Sequence, residues 1–124
     1  MPTTHALGLS GALLLLAVSV SACSDDSDDP GGASGPVTVD IVEKDGEIQP
    51  SGDVVDVERG QDIQLVVTSD VADEIHVHST PEHEFEIEAG ADAERLDPFA
   101  IDTPGTIEVE SHGLEVVIVK LQVS

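Results

Sequence analysis

The sequence predicts an all-β fold, a two-sheet sandwich of short strands. Three observations carry that expectation. Apolar and polar residues alternate with a period of two through several separate segments. Turn-forming stretches such as "EKDG", "ERGQD", "EAGAD" and "DTPG" lie between them. The 124 residues contain no Trp, no Tyr and only two Phe, so the core must come from Val, Ile and Leu, which suit pleated, half-buried surfaces.

Taken in order, "VTVDIV" (37–42) puts Val37, Val39 and Ile41 on one face and Asp40 on the other. "DIQLVVTS" (62–69) does the same with Ile63, Leu65 and Val67. In "EIHVHS" (74–79), Ile75 and Val77 oppose His76 and His78. "EFEIEA" (84–89) buries Phe85 and Ile87 between glutamates, and "TIEVESH" (106–112) buries Ile107 and Val109. "LEVVIVKLQV" (114–123) is apolar on nearly both sides, as expected of a strand covered on both faces. The stretch "AGADAERL" (89–96) has room for one helical turn at most. No repeat, heptad or Gly-rich phosphate loop occurs.

The first residues read as a signal for export. Residues 6–22 are almost entirely small or apolar around Leu13–Leu16, too short for a good membrane span but suited to a signal peptide covering 1–22. Val20-Ser21-Ala22-Cys23 resembles a bacterial lipobox, in which the cysteine is lipidated and becomes the N-terminus. Cys23 is the only cysteine, so no intramolecular disulfide can form. This predicts an exported lipoprotein held at the membrane by acyl chains. After Cys23 comes "SDDSDDPGGASG" (24–35), too polar and charged to offset the entropy of ordering, so 23–35 is expected to be a disordered linker. The domain is expected over 36–124.

Every charged residue follows Cys23, and 26 acidic against 4 basic residues give a net charge of −22. Such a chain has no means of releasing counterions from phosphates, so nucleic acid is excluded as a partner. Cations are attracted, with a strength that salt weakens. An acidic surface of this kind equally suits a salty habitat.

Histidine is the remaining chemical signal. "DEIHVHSTPEH" (73–83) holds three of the five histidines. Two residues apart on one strand, His76 and His78 point the same way, with Cβ atoms about 6–7 Å apart. Imidazoles so placed can converge on Cu(II), Zn(II) or Ni(II), with Cu(II) the tightest. His83 and Glu82 follow closely enough to reach the same ion, and His112 joins if its loop lies near. The competing reading has His76 and His78 on a solvated face as partners of nearby carboxylates.

The order of "VERGQDIQLVVTSDVADEIHVHS" (57–79) and "AGADAERLDPFAIDTPGTIEVESHGLEVVIVKLQV" (89–123) resembles cupredoxin-like domains of exported bacterial lipoproteins. The resemblance rests on the pattern D-x-A-D-E-x-H-x-H followed by F-x-x-D-x-P-G-x-x-E-V-E. It implies a Greek-key β-sandwich in which copper sits at one end between loops. His76 falls where the family has its first copper-binding histidine, and His112 near the loop that elsewhere carries Cys, His and Met. Here the sequence departs from the family. A blue-copper centre needs a thiolate, and 36–124 has neither Cys nor Met. "HVH" also resembles copper–zinc superoxide dismutases, but their disulfide cannot form here and the domain is short for that fold.

The sequence therefore predicts a non-catalytic envelope lipoprotein whose cupredoxin-like domain binds copper or another divalent metal. Its expected ligands are His76, His78, His112 and His83. The alternative is a metal-free surface module that contacts an envelope protein. An enzyme is not expected: Ser111-His112 adjacency is no triad, because base and nucleophile must face each other from separate segments.

Overall fold

A computed structural model of the chain describes residues 34–124. The expected signal peptide, Cys23 and the linker up to residue 33 lie outside the described residues.

Ten strands and no helix form among the described residues. They are β1 (Val37–Lys44), β2 (Glu47–Gln49), β3 (Asp53–Val57), β4 (Asp62–Ser69) and β5 (Asp73–Val77), followed by β6 (His83–Ile87), β7 (Glu94–Arg95), β8 (Phe99–Ala100), β9 (Gly105–Ser111) and β10 (Val116–Val123). One sheet has the order β2-β1-β4-β7, with β8 also pairing to β4. The other runs β3-β10-β9-β5-β6. Both sheets are mixed: β1 pairs parallel with β4 and β3 parallel with β10, while the remaining pairs are antiparallel. This is the two-sheet sandwich that the alternation predicts, with the Greek-key order that the cupredoxin resemblance implies.

Strand parity builds the core. Val39 and Ile41 of β1 meet Ile63, Leu65 and Val67 of β4 in one sheet, and Ile75, Val77, Val109 and Leu121 line the other. Fully burying side chains of this size contributes about 1.5–3 kcal/mol each. β10 departs from simple alternation. A bulge between Val117 and Val119 lets Ile118 and Val119 both be completely buried, which accounts for its two-sided apolar sequence.

Four of the ten strands, β2, β3, β7 and β8, are not legible in the sequence. β2 follows a tight turn at Asp45-Gly46, where both residues have positive φ, so "EKDG" is partly strand and partly turn. β3 is an edge strand whose Val54 is exposed, and its weak apolar pattern hides it. The stretch expected to hold one helical turn instead contains the two-residue strand β7.

The same parity that buries Ile41 also places Glu43 inward, at the end of β1. Its Oε2 accepts a hydrogen bond from Ser69 Oγ at 3.2 Å. Burial pushes the Glu43 carboxyl up from the usual carboxylate range, and the charge of Asp73 in the opposite sheet pushes it further.

Candidate metal site

The histidine cluster is built on the outer face of β5. Ile75 and Val77 point into the core, so His76 points out, yet only 9% of it remains exposed. Its cover comes from three directions. His78, at i+2, lays its ring against it, with centroids 4.4 Å apart. His112, from the turn joining β9 to β10, meets it edge-on at 5.1 Å. Glu82 arrives from the bend after β5.

Local sequence explains each approach. Pro81 cannot donate to a ladder, so the strand ends before it. Ser79 then ties the bend, its backbone N–H donating to Val77 O at 2.8 Å and its hydroxyl to Pro81 O at 2.6 Å. This sets Glu82 Oε2 3.3 Å from His76 Nε2. Across the sheet, the backbone N–H of His112 donates to Glu74 O at 2.9 Å. Asp73 accepts from Ser111 Oγ and the Gly113 N–H, which pins the turn to β5.

Each imidazole has a carboxylate partner or a close neighbour. His78 Nε2 lies 2.7 Å from Glu110 Oε2. That hydrogen bond pushes the His78 imidazole above its ordinary value of 6.5, against the partial burial that pulls it down. The charges of Glu110, Glu82 and Glu108 act in the same upward direction. His112 Nδ1 lies 2.7 Å from Glu74 Oε1, and its Nε2 lies 3.2 Å from His76 Nδ1. His76 Nε2 is the exception: it is buried and has no hydrogen-bond partner among the described residues, because Glu82 lies close by without the alignment a hydrogen bond requires. A buried polar atom left in this state needs an explanation.

A bound metal ion would supply one. One ligand atom from each of His76, His78 and Glu82 lies within 4.8 Å of the others. Two imidazoles and a carboxylate suit borderline divalent ions, while the absence of sulfur leaves blue-copper chemistry without its thiolate. The residues present thus fit a divalent ion of the Cu(II) or Zn(II) kind.

Of the residues expected from sequence, the structure brings His76, His78 and His112 into one contiguous group. It does not bring His83 there. His83 shares the inward parity of Phe85 and Ile87, and its ring packs against Phe99 at 4.8 Å and Phe85 at 6.4 Å, on the other side of the sheet. Strand parity therefore keeps His83 out of the group, while Glu82, expected alongside it, lies against His76. Glu110 carries no signal in the sequence, because its role depends on cross-strand register: it stands opposite His76 on β9.

No protein-family model and no curated protein matches the sequence. Solved structures do. A Cu(I) form of a methionine-to-alanine mutant of amicyanin superposes with a TM-score of 0.50 at 15% identity, covering 75% of this chain and 86% of its own. The fold is cupredoxin-like. A purple cupredoxin from Nitrosopumilus maritimus aligns at 12% identity and a TM-score of 0.48, over 71% of this chain and 99% of its own. Within the cupredoxin-like sandwich of the present chain, His76 and His112 meet where β5 and the β9–β10 turn come together. That turn is only four residues long, 112–115, too short to arrange a loop of several ligands.

Proposed function

We propose that this protein is a non-catalytic metal-binding module of the cell envelope, which holds Cu(II) or a related divalent ion through His76, His78 and Glu82. The observation that carries this reading is the buried, unpartnered Nε2 of His76, facing a carboxylate and a second imidazole. The cupredoxin-like fold supports copper as the ion, since the amicyanin structure that shares it is described as a copper form. A hard carboxylate in place of a thiolate favours Cu(II) over Cu(I), so the module binds and hands over the ion rather than cycling electrons. The strongly negative surface draws cations toward it.

Export and a lipid anchor on Cys23 complete the proposal. They rest on the apolar segment 6–22, the Val20-Ser21-Ala22-Cys23 motif and the acidic stretch after it.

Calorimetric titration of the metal-free protein with Cu(II) and Zn(II), beside a His76→Ala/His78→Ala double variant, tests the site. Wild type is expected to bind one ion without strong visible colour, and the variant to lose that binding. Equal, weak binding by both would leave the sandwich as a metal-free interaction module. Metabolic labelling with palmitate tests the anchor: label is expected on the wild type and absent from Cys23→Ala.

A further inference from the structure

We propose that Glu74 and His112 serve the site without touching the ion: they fix His76 in the tautomer protonated at Nδ1, which leaves Nε2 as a buried lone pair. The functional part of this inference rests on reading His76, His78 and Glu82 as the ligands. The tautomer assignment stands on hydrogen-bond geometry alone.

Glu74 anchors the relay. A carboxylate only accepts, so His112 Nδ1, 2.7 Å from Glu74 Oε1, carries the hydrogen between them. A neutral imidazole has one N–H, and His112 Nε2 is then a lone pair. That lone pair lies 3.2 Å from His76 Nδ1. Two lone pairs at this distance repel, so His76 Nδ1 carries a hydrogen and donates it. Glu82 Oε2 lies 3.3 Å from Nε2 but out of line for a hydrogen bond, whereas the Nδ1 contact is aligned, so the lone pair of a neutral His76 is on Nε2, the buried atom. A free histidine side chain prefers the opposite tautomer, so the arrangement has to be imposed, and Glu74 imposes it through His112.

His78 is held the other way. Its Nε2 lies 2.7 Å from Glu110 Oε2 and donates to it, so the His78 lone pair is on Nδ1. Two carboxylates thus set two neighbouring imidazoles in opposite tautomers. His112 itself has both ring nitrogens engaged, one donating to Glu74 and one accepting from His76, and neither is left for a metal. It is a positioning residue. Hydrogen bonds of this kind to the far nitrogen of a ligating imidazole fix the ring and raise its basicity, and losing them typically weakens metal binding 10- to 100-fold.

The experiment uses the full chain labelled with 15N, metal-free, at mildly alkaline pH where ordinary imidazoles are neutral. Long-range proton–nitrogen correlation spectra are expected to show Nδ1–H on His76 and His112 and Nε2–H on His78. In His112→Ala, His76 is expected to revert to Nε2–H. In His112→Gln, whose side-chain oxygen replaces the accepting nitrogen, it is expected to stay Nδ1–H. With Cu(II) added, His112→Ala is expected to bind 10- to 100-fold more weakly and His112→Gln close to wild type. Electron paramagnetic resonance should count two coupled imidazoles in wild type and in both variants. His76 protonated at Nε2 in the metal-free wild type would overturn the inference. So would three coupled imidazoles in wild type that fall to two in His112→Ala. A protein that binds no copper but shows the expected tautomers refutes the metal reading and upholds the relay.

Discussion

The parity of β5 decides which groups meet at the site. Residues 75 and 77 face the core, so 74, 76 and 78 share the outer face, and a carboxylate stands two places before the buried imidazole. His78 shows how a neighbour tunes such a group. Its imidazole is raised by the hydrogen bond it donates to Glu110, so the proton is held more firmly in the fold than in the unfolded chain. The stabilisation from that contact is complete below the unfolded value and is lost as pH rises through the folded one. Metal competes for the same side chain, so affinity is expected to decline as pH falls through a midpoint above 6.5. In the metal-free protein, following the His78 ring protons by NMR should place its titration above 6.5 in wild type and lower in Glu110→Gln. An unmoved midpoint in the variant would rule out Glu110 as the cause.

At the scale of elements, two short connections make the group possible. The bend at 79–81 carries Glu82 over His76, and the turn at 112–115 carries His112 to its other side. Asp73 holds that turn, accepting from Ser111 Oγ, Gly113 N–H and Glu74 N–H. Glycine is required at 113 for space: a Cβ there would lie 2.6 Å from Asp73 Oδ1 and 3.1 Å from its Cγ. The Asp73 carboxylate cannot retreat without releasing three hydrogen bonds. Gly113→Ala is therefore expected to cost about 1–3 kcal/mol of stability, as overpacking commonly does. Thermal unfolding reads that loss, and a melting temperature equal to wild type would show that the turn is not held this way.

Across the whole molecule, the two sheets meet through an apolar core that ends at a carboxyl pair. Glu43 of β1 continues the inward row of Val39 and Ile41, and Asp73 of β5 approaches it from the other sheet. Burial and the Asp73 charge both favour the protonated form of Glu43 in the fold. A carboxyl raised in this way supports stability below the unfolded value of 4.5, and that support is lost as pH rises through the folded one. Glu43→Gln removes the charge but keeps the shape. Its melting temperature is expected to exceed wild type at neutral pH by several degrees, given about 4–8 °C per kcal/mol for a domain of this size. The difference should close as pH approaches 4.5. A constant difference across that range would place the effect elsewhere.

Much of this is written locally. Period-two alternation determined the six longer strands, their inward faces and the all-β class, because side-chain direction in a strand follows from the backbone alone. It also put His76 and His78 on one face, and it turned His83 the other way, although its nearness in sequence argued for inclusion. Glu43 obeys the same parity, but "EKDG" read as a turn conceals it. The approach of His112 to His76, 36 positions apart, and the pairing of His78 with Glu110, 32 apart, came only with the tertiary structure. Cross-strand register is set by how the two sheets pack and by the length of each turn, and no local pattern encodes it. The sequence by itself determined that imidazoles would stand on an acidic sheet face. Only the fold decided that one of them would be buried with a nitrogen left free.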